Sequence, residues 1–151
     1  MKRKYIVLVL TLLLILFVFG YFHVAGNELT PVASITPDYT CAVTKTEDTI
    51  DGPTTNYTLT VEQVLQLRDL ILSSSFTRVP SNSYTYSGAH DRYSLVLELT
   101  DNQGLQKDYI LMDYVEDLYF TVYAPYHDLY ITLKIRNSHW HEDFESILSS
   151  Y

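Results

Sequence analysis

The sequence predicts an α+β protein, with an N-terminal transmembrane or signal helix followed by a mostly antiparallel sheet covered on one face by two helices. Three observations predict it. A long uncharged apolar run opens the chain. Most of the rest consists of short segments that alternate apolar and polar residues and are joined by turn-forming residues. Two further segments carry apolar residues at helical spacing, and the strands follow one another as hairpins rather than βαβ units, which favours an antiparallel sheet.

The opening run begins after three cations, Lys2, Arg3 and Lys4, and its apolar heart covers residues 5–22, from Tyr5 to Phe22. As a helix it would be about 27 Å long, close to the ~30 Å thickness of bilayer hydrocarbon. Cations flanking such a run stay in the cytoplasm. Residues 1–4 are therefore expected inside the cell, 5–24 in the membrane or in a signal peptide, and the rest outside. Two fates stay open: a single-pass anchor in the cell membrane, or secretion after cleavage near Gly26, where Val24-Ala25-Gly26 supplies small residues. The only cysteine, Cys41, lies too far beyond the run to carry a lipid, permits no internal disulfide, and is expected as a small buried strand residue. Residues 25–37, with Pro31, Pro37 and one charge, read as an extended tether. The folded domain is then 38–151.

Residues 38–46 are β-branched and aromatic, and Asp51-Gly52 is a turn signal that sends 54–60 back as a second strand. Thr60 with Gln63 forms a capping box, and Val61, Val64, Leu65, Ile71 and Leu72 follow helical spacing, which predicts a helix over 61–74. Residues 76–90 read as a long polar loop holding Pro80 and Gly88. Tyr93, Leu95, Leu97 and Leu99 then alternate with polar partners, residues 101–104 turn, and 105–113 return. Residues 118–124 and 128–136 form another hairpin about Pro125-Tyr126-His127. In its second strand Leu129, Ile131, Leu133 and Ile135 face one way and Tyr130, Thr132 and Lys134 the other.

The closing segment, NSHWHEDFESILSSY, admits two readings. His139, His141 and Asp143 resemble a metal site, which would make the chain a metal-binding protein or a metal-dependent hydrolase. As a helix from 139, the same segment lines up Trp140, Phe144, Ile147, Leu148 and Tyr151 as one apolar stripe. Ser138 would then cap it, and Glu142 and Asp143 would sit near the positive end of its dipole. His139 and His141 would lie about 200° apart and could not share an ion. They would instead form surface pairs with Asp143 and Glu145. The helical reading explains more of the residues.

Composition excludes several functions. The chain carries 10 Lys and Arg against 18 Asp and Glu, and the balance is about −11 once the three N-terminal cations are set aside. Such a field repels nucleic acid, so no nucleic-acid partner is expected. The five glycines write neither a phosphate-cradling loop nor a Gly-x-Ser-x-Gly elbow, so no cofactor and no catalytic residue are expected. The residues 113–117 lack the spaced ligands and glycine of a calcium loop. Tyrosine is unusually abundant, at 14 residues. It offers large contact area at low entropy cost, and it is also simply a good strand residue. The candidate binding residues are Tyr119, Tyr123, Tyr126 and Tyr130 of the second hairpin, with Tyr84 and Tyr86 of the long loop nearby.

The basic start MKRKYIVLVL, the helix opening LTVEQVLQLRDLI and the hairpin YSLVLELTDNQGLQKDYILMD resemble small exported or membrane-anchored proteins of Gram-positive bacteria, many of which carry domains of unknown function. The resemblance covers roughly residues 40–150 and implies an exported α+β domain. It brings no catalytic residues, and the chain lacks the lipidated cysteine of the lipoprotein members. The expected function is that of an extracytoplasmic, membrane-tethered, non-catalytic binding or accessory module. Its expected partners are the membrane, through residues 5–22, and a protein or cell-wall component.

Overall fold

The computed structural model describes residues 2–47, 52–79, 90–116 and 119–150. The turn expected at Asp51 and the loop segment bearing Tyr84 and Tyr86 lie outside these residues. The elements run α1 (Lys2–Phe22), β1 (His23–Ala25), α2 (Thr30–Ala33), β2 (Thr40–Thr46), β3 (Thr54–Leu59), α3 (Val61–Ser73), β4 (Ser75–Arg78), β5 (Arg92–Thr100), β6 (Gln106–Val115), β7 (Tyr119–Ala124), β8 (Leu129–Ile135) and α4 (Trp140–Ser149). Short 3-10 turns sit at Gly26–Glu28 and Pro125–His127. The eight strands form one antiparallel sheet in the order β1-β4-β8-β7-β6-β5-β2-β3. The α+β class and the apolar N-terminal helix stand as expected.

The apolar span Lys4–Phe22 is 19 residues long with a mean hydropathy of 2.7, and none of it is buried against the fold. By length and composition it can cross a membrane. It runs without a break into β1, where Val24 pairs with Phe76 of β4. The extended tether expected over 25–37 is not found. Val24, Leu29, Val32 and Ile35 are core residues instead. The prolines misled the sequence reading: Pro31 sits in the first turn of α2, where its missing N–H costs nothing, and starts structure rather than breaking it. Residues 76–78, expected within a loop, belong to β4, which gains its place from pairing with β1 and β8.

α3 begins as expected. The Thr60 Oγ1 accepts from the Gln63 amide at 3.3 Å, and Gln63 Oε1 accepts from the Thr60 amide at 2.9 Å. The buried Gln63 does more: its Nε2 donates to the carbonyls of Ile147 and Ser150 at 2.7 and 3.0 Å. One side chain therefore caps the start of α3 and satisfies orphan carbonyls at the end of α4. The turn after β5 is also as expected. Asp101 Oδ1 accepts from the Gln103 and Leu105 amides, and Gly104 takes φ +78°, a conformation glycine adopts without strain.

α4 buries Trp140, Phe144 and Leu148. Its cap is His139 rather than Ser138, with no side-chain hydrogen bond from the cap. Asn137 takes the capping work upstream, accepting from the His139 amide at 3.0 Å. Trp140 and Phe144 pack on the sheet face of Tyr93, Tyr114 and Phe120, with the Trp140 and Tyr114 rings 4.6 Å apart and Phe144 meeting Tyr93 edge-on at 5.0 Å. Cys41 is buried in β2, as expected of a structural thiol, and burial pushes its pKa up to about 12.

Candidate binding face

Strand alternation divides β7 cleanly. Phe120, Val122 and Ala124 go to the core, and Tyr119, Thr121 and Tyr123 go to the other face. β8 registers against it so that Tyr123 stands directly opposite Tyr130, with the two rings 6.2 Å apart and edge-on. Thr121 and Thr132 share a hydroxyl contact of 3.3 Å one pair further along. Tyr126 lies on the connecting 3-10 turn, which ends at Asp128 in the left-handed region. Tyr123, Tyr126 and Tyr130 are 41 %, 58 % and 64 % exposed, whereas Tyr119 is half-buried. Of the four hairpin tyrosines expected at a binding surface, Tyr123 and Tyr130 are thus brought together in the open, and Tyr126 is exposed on the turn between their strands.

The sheet extends this surface in a way the sequence reading missed. Tyr123 registers with Leu111, Leu111 with Val96, and Val96 with Ala42. A row Tyr130–Tyr123–Leu111–Val96–Ala42 therefore crosses five strands on the face away from α4. Side chains in such register touch their neighbours and form a continuous strip. The signal lay in the sequence: Val96 and Leu111 are apolar where the residues two positions away on the same face, Ser94 and Glu98 for one and Tyr109 and Asp113 for the other, carry polar groups. Recognising the row required pairing all five strands, of which the Asp101–Gly104 turn joins only β5 and β6.

At the edge of the face, α1 and β8 border a groove of about 590 Å3. Tyr21 and Phe22 from the end of α1, Arg78 of β4, and Asp128, Tyr130 and Thr132 at and after the turn line it together. The Arg78 guanidinium lies over the Tyr21 ring, 5.0 Å from its centroid.

Two polar clusters stiffen the ends of the sheet. At one end Asp108 accepts from the Tyr39 hydroxyl and from His127 Nε2, the latter at 2.8 Å. Burial alone would raise the Asp108 carboxyl, but His127, Tyr39 and the Tyr109 amide outweigh it and hold it below its ordinary value. Burial, then the bond to Asp108, pushes the Tyr39 phenol up to about 12. At the other end Lys45 bridges Asp91 at 2.8 Å and Glu145 at 3.1 Å, and Tyr93 donates to Glu145. Burial would raise the Glu145 carboxyl, but Tyr93 and Lys45 bring it down. Burial, then the hydrogen bond to Glu145, raises the Tyr93 phenol.

These carboxylates make a testable signature. Their folded pKa values lie below the unfolded ones, so their contribution is complete above about pH 5 and fades as the pH falls through the folded values. Thermal unfolding scans should show a midpoint that declines below about pH 5. Asp108→Ala should cost ~1–3 kcal/mol at pH 7 by stranding the Tyr39 hydroxyl, and should flatten that acid decline. A variant as stable as the parent at pH 7 would show that the cluster does not tie this end of the sheet.

The closing histidines go separate ways. His139 Nδ1 meets Glu142 at 3.2 Å on the surface, not Asp143. His141 points inward: its Nδ1 contacts the Tyr114 hydroxyl at 3.1 Å and its Nε2 contacts Glu116 at 3.3 Å, while Glu145 is held by Tyr93 and Lys45. The helix separates the pair as its geometry requires, and Asp143 joins neither. Among the described residues no group of three or more His, Cys, Asp or Glu is arranged to hold a metal ion. The open face offers contact area and phenol hydroxyls for hydrogen bonding. No protein-family model, curated protein or solved structure matches the chain, so the reading of its function rests on its own residues.

Proposed function

We propose that the protein is a membrane-anchored, non-catalytic recognition module. Its domain lies on the exported side of a bacterial cell membrane, and it binds a protein or cell-wall component through the Tyr123–Tyr130 face. The observation that carries this reading is the exposed tyrosine pair at the head of an in-register apolar row, on a sheet face that α4 leaves open. Tyrosines clustered with aliphatic neighbours supply rigid contact area, which recognition surfaces favour. The three cations before α1 support the orientation. An uncleaved anchor is favoured because cutting near Gly26 would strip β1 from β4 and uncover the core beneath Val24.

In cells, the chain should therefore fractionate with membranes at its full mass of 17.5 kDa. Chemical crosslinking of the full-length protein should trap a recurrent partner, and Tyr123→Ala combined with Tyr130→Ala should lose it while keeping the parent's melting temperature. Both rings are exposed, so the stability cost should stay within ~1 kcal/mol. An identical crosslinked set from parent and variant would remove the face from consideration.

A further inference from the structure

We propose that the groove where α1 meets β8 holds the zwitterionic headgroup of a membrane phospholipid, with its phosphate on Arg78 and its ammonium on Asp128 and the Tyr130 ring. The proposal rests on the membrane-anchored reading. It adds a specific lipid contact to the place where the anchor enters the domain.

Position is the first argument. The groove is lined by Tyr21 and Phe22, the last two residues of the apolar helix, and β1 begins at the next residue. A span of 19 residues is about 28 Å long, so its end reaches the boundary where headgroups lie. No intervening segment can carry the groove away from that boundary. Tyrosines belong at this level, with the ring toward hydrocarbon and the hydroxyl toward water.

Charge is the second. Beyond its contact with the Tyr21 ring, the Arg78 guanidinium makes no hydrogen bond or ion pair with the described residues, and its Nε is buried without a hydrogen-bond partner. A buried donor left in that state is costly, and a phosphate oxygen supplies the acceptor it lacks. Asp128 lines the same groove, is exposed, and makes no ion pair with the described residues. One unmatched cation and one unmatched anion, flanked by aromatic rings, fit a ligand that carries both charges. The acidic balance of the rest of the chain argues against a general attraction to anionic lipid, whereas a zwitterion adds no net charge. The volume of about 590 Å3 is in the range of small-molecule sites.

The test uses the full-length protein in detergent, with native mass spectrometry after adding phosphatidylethanolamine or phosphatidylglycerol. One phosphatidylethanolamine per chain should be retained, about tenfold in preference to phosphatidylglycerol. Arg78→Gln and Asp128→Asn should each weaken retention about tenfold. Asparagine tolerates the left-handed backbone at 128, so the second variant keeps the turn even if the first perturbs β4. Equal retention of the two lipids, or unchanged retention in two folded variants, overturns the lipid site. Carbonate extraction of cell membranes separates the two ideas. A chain that resists extraction yet shows no lipid preference leaves the anchor standing and removes the lipid site. A chain released by carbonate overturns both.

Discussion

Trp140→Ala is expected to lower the stability of the domain by ~3–5 kcal/mol, the range seen when a large buried aromatic is truncated. Domains of this size are stable by only ~5–15 kcal/mol, so the variant should lose a large share of that margin. The reason is the position of the ring. Trp140 is 1 % exposed and is wedged between the sheet and its own helix, touching Tyr114, Phe120 and Phe144. Neighbours anchored in strands cannot collapse into the space it would leave. The indole Nε1 is buried without a hydrogen-bond partner among the described residues, so the native ring carries a penalty of its own. Trp140→Phe removes that donor while keeping most of the contact, and it should cost ~1.5 kcal/mol or less. Denaturant titration of the full-length protein in detergent, followed by far-ultraviolet circular dichroism, would read both variants, because the chain has a single tryptophan and fluorescence is lost on mutation. A Trp140→Ala cost below ~1 kcal/mol would mean that α4 does not seal the core.

That prediction was half visible before any fold was known. The stripe Trp140–Phe144–Leu148 has the period of a helix, and period survives any tertiary context. The capping box of α3 is legible for the same reason, since both its partners are three residues apart. Hairpin strands with intervening glycine or aspartate were equally plain. What the sequence concealed depends on residues distant along the chain. β4 has four residues and one large apolar side chain, and it is a strand because β8 and β1 receive it. β1 has three residues and reads as the tail of α1. Gln63 looks like a cap, but its second task lies 84 residues away. Asp108 reads as one more surface acid until Tyr39 and His127 converge on it. The candidate face divides in the same way. Abundance and alternation identified the tyrosines, but the row through Leu111, Val96 and Ala42 is a property of register, and Arg78 matters only where α1 passes over it.

Gly26→Ala should be as damaging as the loss of Trp140, although it adds a single methyl group. A Cβ at this position would sit 1.9 Å from the carbonyl oxygen of Ile71 and 2.9 Å from the carbonyl carbons of Ile71 and Leu72. These are backbone atoms in the last turns of α3, so no side-chain rotamer can relieve the clash. Overpacking costs ~1–3 kcal/mol where side chains can yield, and here the cost should reach or exceed the top of that range. The Gly26 amide also donates to the Ser74 carbonyl at 2.8 Å, and any movement that admits the methyl group breaks this bond. Either the end of α3 shifts or residues 23–29 lift away, taking Val24 and Leu29 out of the core. The melting temperature should fall on the order of 10 °C, and protease should cut the variant between 26 and 37 where the parent resists. Gly20→Ala is the matched control: nothing lies within 4 Å of its Cβ, and it should melt with the parent. If Gly26→Ala also melted with the parent, the segment after α1 would be a free tether and the domain would hang loosely from its anchor. If it behaves as the geometry requires, α1 and the sheet form one continuous body. On the proposed membrane-anchored reading, the tyrosine face is then held at a fixed height and angle above the bilayer, where its proposed partner would meet it.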